Sequence, residues 1–377
     1  MEVENLMKLW SRLEELEGRL ASDYGMTGDI DSVDVFDETK ARAFCQRDEA
    51  SVAAVKDLYA LYKLRSLASS GRLPAYPDPK YSPEAHHIDT SRFWAVLIGI
   101  NRYPMNRLRG CVNDALLIEA FLVESLGVPK SRIQILLGSK TRGAPGDPAL
   151  PTRANIIQTL TSLIYNSEIE HGDNIVIYFS GHGSSYFCEE YCRNGAGSIE
   201  ALCPMDRTEE DDLPVPDISD REINIILKQI SHAKGHRITL ILDCSHSGPV
   251  LDDSPGRSGK NIPPMSSKSL TRMLDAADDT AENFPECQSV LAPEWRPDMT
   301  SHVILAACRG REIAKEERVE IGLHGVFTES LVRTLKSGAS NERSTYIDLV
   351  SSLNRSMRQE SAVAGRYKHA MLWYRNA

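Results

Sequence analysis

A chain of 377 residues with 41% hydrophobic content has the material for a sizeable core plus a smaller appendage. A formal net charge of −10 without any basic stripe speaks against nucleic acid as a main partner. No run of about 18 apolar residues exists to cross a membrane. The start, Met1-Glu2-Val3-Glu4, is acidic and lacks the apolar core of a signal peptide, so a cytoplasmic protein is expected, with its eight cysteines reduced.

Taken in chain order, the first 72 residues read as a helical N-terminal region. Leu6, Leu13, Leu16 and Leu20 recur at helical spacing, and Val52, Val55, Leu58, Leu61, Leu64 and Leu67 share one side of a second helix. Such a region serves either as a prodomain or as a helical hairpin. Residues 73–91 are rich in proline and read as a linker. From residue 92 onward strand and helix alternate. Strands are predicted at Phe93 to Ile100, Ile133 to Leu137, Asn174 to Phe179, Arg237 to Leu242, His302 to Ala307 and Ala370 to Tyr374. Helices are predicted at Asn113 to Leu126, Thr152 to Tyr165 with Thr152 as cap, Asp220 to Ser231, Val326 to Leu335 and Tyr346 to Arg358. The stretch 252–300 is poor in apolar pattern and reads as a flexible loop. The alternation predicts an α/β fold with a mostly parallel central sheet covered by helices on both faces.

Two of these strands end in chemistry. Asn174 to Ile177 runs into Tyr178-Phe179-Ser180-Gly181-His182-Gly183, and Ile238 to Leu242 runs into Asp243-Cys244-Ser245-His246-Ser247-Gly248. Open α/β sheets place their sites just past the carboxyl ends of strands, so a base and a nucleophile on neighbouring strands are expected there. Amide hydrolysis by a Cys/His pair needs a thiolate, an imidazole to move protons, and backbone N–H groups to hold the oxyanion.

Together with Leu108-Arg109-Gly110-Cys111-Val112-Asn113-Asp114-Ala115, these two runs resemble the motifs of caspase-fold peptidases. The resemblance is to the metacaspases and the caspase-domain proteins of fungi, and it covers about Phe93 to Tyr374. It implies a caspase-like fold and an endopeptidase that needs no cofactor for its chemistry. His182 would be the general acid/base, and the N–H groups of Gly183 and residue 245 the oxyanion hole. Cys111, Asp114, Ser180 and Asp243 would line the primary pocket. Two carboxylates there favour a cation, so the implied partners are polypeptides cut after Arg or Lys. Linker cleavage by the enzyme itself would use Arg257, Lys260, Lys268 or Arg272. Calcium activation is implied for several metacaspases; Asp206, Asp220 and Asp252 occupy ligand positions, but a further acidic position is Ser219. A monomer is expected.

The chain departs from the family at one letter. The family's cysteine position is Ser245, and the cysteine stands one place earlier, at Cys244. Side chains alternate in extended chain, so Cys244 should point away from the side that Asp243 and Ser245 share. A serine hydroxyl is far less acidic than a thiol of pKa about 8.5, and a lone histidine activates it badly. Two functions stay open: a cysteine-type endopeptidase silenced at Ser245, or a natural pseudopeptidase that binds or regulates. Cys308, in Ala306-Ala307-Cys308-Arg309-Gly310, mimics a caspase signature but follows the wrong strand. Cys188, Cys192 and Cys203 lack the spacing of a zinc knuckle and read as ordinary thiols.

Overall fold

The computed structural model describes residues 90–373, apart from 105, 140–146, 188–197, 210–213, 246–259, 261, 285–286, 293–294, 309–313, 320–321, 338–343 and 358. The N-terminal helical region lies outside the described residues, as does nearly all of the linker.

The central sheet has six strands: β1 (Phe93–Ile100), β2 (Ile133–Gly138), β3 (Asn174–Ser180), β7 (Ile238–Asp243), β8 (Val303–Ala306) and β11 (Ala362–Ala364). Their order is β11-β8-β7-β3-β1-β2, parallel throughout except for β11, which runs antiparallel to β8. The strands are aliphatic on both sides because both faces are covered. Along β1, Trp94, Val96, Ile98 and Ile100 enter one apolar cluster, and Phe93, Ala95 and Leu97 enter the other. Helices α2 (Arg153–Tyr165) and α3 (Asp220–Lys234) close the first face through Ile156, Leu160, Ile226 and Ile230. On the second lie α1 (Cys111–Ala120), α5 (Val326–Lys336) and α6 (Tyr346–Ser356), through Ala115, Ile118, Phe327, Leu331 and Leu349. This is the α/β arrangement, a mostly parallel sheet covered by helices on both faces, that the alternating pattern predicts.

Caps follow local chemistry. Thr152 accepts the Asn155 N–H ahead of α2, and Thr345 and Asp348 form a reciprocal capping box ahead of α6. Helix α1 runs on into a wide turn at Phe121–Ser125.

Three features differ from the sequence pattern. The predicted strand at Ala370 to Tyr374 is absent over residues 370–373; β11 is the sheet's last strand instead. The Leu372 N–H bonds the Ser344 carbonyl, and Trp373 turns into the left-handed region at φ 47° to set its ring edge-on to Phe93. The span 252–300 is not simply a flexible loop. It contains α4 (Ser267–Glu282), capped by Ser266 and burying Leu270, Met273, Leu274, Ala277 and Ala281. A small antiparallel sheet, β4 (Gly183–Tyr186), β5 (Ile199–Leu202) and β6 (Ile218–Ser219), and a hairpin, β9 (Glu316–Val319) with β10 (Gly322–Gly325), were too short for periodicity to reveal.

Candidate active site

The sheet reverses direction of build between β1 and β3, the crevice where ligands of open α/β sheets bind. Register brings Gly99, Ser180 and Asp243 into one row across β1, β3 and β7 at their carboxyl ends. Gly99 is required for a steric reason: a Cβ there would lie 2.5 Å from the Cys111 carbonyl oxygen. Its absence lets the first turn of α1 settle on the sheet, which carries Asp114 to Ser180; the Ser180 hydroxyl donates to Asp114 Oδ2 at 3.0 Å.

His182 follows β3 and is buried. Its backbone N–H donates to the Tyr103 hydroxyl at 2.9 Å, which donates to the Cys203 carbonyl at 3.0 Å. Nε2 lies 2.5 Å from the carbonyl oxygen of Asn106, a residue in the left-handed region at φ 52°, which asparagine tolerates better than most. A carbonyl can only accept, so Nε2 carries the proton and Nδ1 is left with a free lone pair. Nδ1 is buried without a hydrogen-bond partner among the described residues. Burial pushes the imidazole down to about 4, so it is neutral at neutral pH.

Ser245 is also fully buried, and among the described residues its Oγ has no hydrogen-bond partner, His182 included. Its backbone N–H donates to the Lys260 carbonyl at 3.2 Å, and the Gly183 N–H donates to the same oxygen at 3.0 Å. The two N–H groups expected to hold an oxyanion thus converge on the carbonyl of one lysine. The Lys260 N–H donates to the Ala314 carbonyl at 2.9 Å.

The side chain of Lys260 fills the slot between β3, β7 and α1. Nζ lies 2.9 Å from Asp114 Oδ2, 2.9 Å from Ser180 Oγ and 3.0 Å from Asp243 Oδ2, and the whole residue is 0% exposed. Thr328 Oγ1 donates to Asp243 Oδ2 at 2.5 Å, and the Tyr178 hydroxyl lies 2.6 Å from Thr328 behind it. The Gly325 N–H donates to Asp114 Oδ1 at 2.8 Å. Burial alone would discharge all three ionisable groups. The two carboxylates outweigh it for Lys260, which they hold well above its ordinary value. For Asp114, burial is outweighed by the Lys260 ammonium and by hydrogen bonds, and its carboxyl is held low; Asp243 is pushed up by burial, to which the negative charge of Asp114 adds. Cys111 sits next to this slot, its thiol donating to Glu316 Oε1 at 3.6 Å and raised by burial.

Cys244 packs with Leu240 and Leu242 in the first-face cluster, whereas Asp243 meets Thr328 of α5, a helix on the second face, as alternation requires. Cys308, partly buried, donates to the Cys244 carbonyl at 3.6 Å. Of the linker bases, Lys268 and Arg272 lie on α4 and Arg257 lies outside the described residues. Asp206 Oδ1 accepts the Arg153 N–H, Asp220 Oδ1 accepts the Arg221 N–H, and Ser219 is an ordinary helix cap. Among the described residues no three His, Cys, Asp or Glu side chains converge as a metal site. Asp252 lies outside the described residues, as do Cys188 and Cys192; Cys203 is a buried free thiol.

Several participants were not singled out by sequence. Asn106 and Ala314 act through backbone carbonyls, which no residue type announces. Tyr103, Thr328 and Glu316 stand far along the chain from the groups they hold. Glu316 accepts the N–H groups of Arg109 and Gly110 and so caps α1 from the β9–β10 hairpin.

Among curated proteins, the chain is 34% identical to Metacaspase-3 of Arabidopsis thaliana over 163 residues, which is 42% of this chain and 40% of that protein. It is 32% identical to Metacaspase-1 of Saccharomyces cerevisiae over 165 residues, 43% of this chain and 35% of that protein. The chain thus spans about two fifths of the length of the curated relatives it matches. Among solved structures, caspase-1 of Spodoptera frugiperda superposes with a TM-score of 0.42 at 11% identity, covering 76% of this chain and 92% of the other. Residues 94–254 match the family model described as "Metacaspase, peptidase C14 domain".

Proposed function

We propose that this domain is an endopeptidase site for bonds that follow Lys or Arg, silenced in this chain by Ser245. The observation that carries the proposal is the posture of Lys260. Its carbonyl oxygen takes the N–H groups of Gly183 and Ser245 while its ammonium sits between Asp114, Ser180 and Asp243. A substrate's basic residue would need the same two holds at once, oxyanion donors at the carbonyl and carboxylates at the side chain.

With cysteine at 245, the thiolate attacks the carbonyl carbon and the oxygen takes up negative charge under the two N–H groups. The C–N bond then breaks as imidazolium delivers the proton to the departing amine, leaving a thioester. Water, deprotonated by the neutral His182, attacks that thioester and restores the thiolate. Serine fails at the first step. Its proton must go to an imidazole whose charged form is penalised by burial and whose Nε2 faces a carbonyl rather than a carboxylate. The bond after Lys260 is the one this geometry presents for self-cleavage. Calcium enters the proposal as an activator bound by Asp206, Asp220 and Asp252, whose oxygens are of the kind it prefers; no chemical step runs through it. A cytoplasmic location and a monomeric state belong to the same proposal.

Hydrolysis of fluorogenic peptides ending in Arg, Lys or Asp, by this chain and by its Ser245→Cys variant, with and without calcium, tests it. Cleavage after Arg or Lys by the variant alone is expected. Cleavage by neither chain favours the second function, a binding or regulatory pseudopeptidase, for which the absent hydrogen bond between Ser245 and His182 argues. Turnover by the Ser245 chain itself overturns the nucleophile assignment.

A further inference from the structure

Beyond Lys260, the chain continues along β4, the edge strand of the small antiparallel sheet. The Ile262 N–H donates to the Gly183 carbonyl at 3.0 Å, the Pro263 carbonyl accepts from Arg207 Nη2 at 3.4 Å, and the Met265 N–H donates to the Tyr186 hydroxyl at 3.3 Å. Both side chains in that row share one anchor. Asp217, fully buried, accepts the Tyr186 hydroxyl at 2.7 Å and the Arg207 fork at 2.8 and 2.9 Å. A forked guanidinium pair of this kind fixes direction as well as charge. Ile262 is 7% exposed and belongs to the cluster that holds Leu202, Cys203 and Ile218, whereas Pro263 and Pro264 are exposed. Prolines have no N–H to satisfy, so they suit a strand laid on one edge only. Met265 packs on Tyr186, Ile199 and Leu270 as part of a second apolar cluster.

We propose that β4, with Arg207, Tyr186 and Asp217, forms a leaving-group-side groove that takes an extended polypeptide with an aliphatic residue two places after the basic one. This rests on the assignment of the Asp114–Asp243 slot to the basic side chain of a substrate. The contacts from β4 and Arg207 are to backbone atoms, so they read any extended chain by strand addition, and the buried pocket at Ile262 supplies the selection. An aliphatic side chain there leaves water; a carboxylate would lose its solvation unpaired. Arg207 and Tyr186 are binding residues in this proposal and Asp217 a positioning residue.

The probe is the fluorescein-labelled heptapeptide Gly-Lys-Asn-Ile-Pro-Pro-Met, against the same peptide with aspartate in place of isoleucine. Fluorescence polarisation is read with the intact Ser245 chain and with its Ile262→Asp and Ile262→Thr variants, in which the resident segment is loosened. The expected result is that the isoleucine peptide binds at least about tenfold more tightly than the aspartate peptide. Asp217→Asn, which keeps the shape and loosens Arg207, should lessen binding of both peptides. Equal binding of the two, or no binding of the isoleucine peptide to any of the chains, overturns the proposal. The fluorogenic assay of the Ser245→Cys variant uses peptides that end at the basic residue and never enter this groove. Its failure beside selective peptide binding would sink the peptidase assignment and leave the groove standing.

Discussion

At Lys260 one ammonium faces two carboxylates, all out of water. The ammonium is what makes the arrangement tolerable, because each carboxylate without it is a buried charge lacking a counter-ion. Among the described residues, Asp243 keeps only Thr328 as a donor once Lys260 is gone, and its Oδ1 has no hydrogen-bond partner even now. Lys260→Met should therefore cost about 3–5 kcal/mol of stability in urea unfolding at pH 7. The same change combined with Asp114→Asn and Asp243→Asn should recover most of it, since an uncharged slot has nothing to desolvate. A fall no larger in Lys260→Met than in the combined variant would show that the charges are not the issue. Gly325 tests the same slot sterically. A Cβ there would collide first with Asp243 Oδ2 and would stand 2.5 Å from Lys260 Nζ and 2.9 Å from Asp114 Oδ2. Gly325→Ala should expel the ammonium, and trypsin should cut after Lys260 roughly tenfold faster, the response to about 1.4 kcal/mol in a local opening equilibrium. An unchanged rate would mean the slot widens to accept the methyl group.

Elements were legible where burial imposed a pattern. β1, β3 and β7 are aliphatic runs because both faces of the sheet are covered, and their observed ends lie within a residue of those expected. Thr152 announced α2 through its hydroxyl. The motifs at His182 and Asp243 were legible because parallel strands place their ends together, so chemistry far apart in sequence meets in space. α4 was obscured by the charges of Lys268, Arg272, Asp275, Asp278, Asp279 and Glu282, which interrupt the helical spacing held by Leu270, Met273, Leu274, Ala277 and Ala281. Its flanks of Ser and Pro drew the whole stretch into a loop. Lys260 stood among four candidate bases in the sequence; its contacts with Asp114, 146 residues away, and with Ser180 and Asp243 distinguish it. The reality of α4 as a packed element is open to measurement. Leu274 is fully buried and Asp275 exposed, so Leu274→Ala should cost about 2–5 kcal/mol and Asp275→Ala within about 0.5 kcal/mol of nothing. Equal, negligible effects would return the segment to a loop.

Over the whole molecule, two buried histidines tie stability to pH. His182 at the end of β3 and His302 at the start of β8 are each held down to about 4 by burial, against 6.5 in the unfolded chain. Between those values the unfolded chain binds protons that the folded chain refuses at these two sites, so the stability they contribute is full above about pH 6.5 and is lost as the medium is acidified toward 4. Each group can account for at most about 3 kcal/mol of that fall. His302 lies at the far end of the sheet from the carboxylate slot, where its Nδ1 is 2.7 Å from Ser301 Oγ, and it has no part in the proposed chemistry. It can therefore be removed without touching His182, Lys260 or the two aspartates. Urea midpoints of the chain and of His302→Gln, taken from pH 7.5 down to 4.5, should converge as the pH falls. The variant starts lower through lost packing but loses less per unit of acid, because one of the two depressed histidines no longer takes up a proton on unfolding. Curves that stay parallel would mean that His302 takes up its proton in the folded state as readily as in water, and that the acid sensitivity of the fold comes from elsewhere.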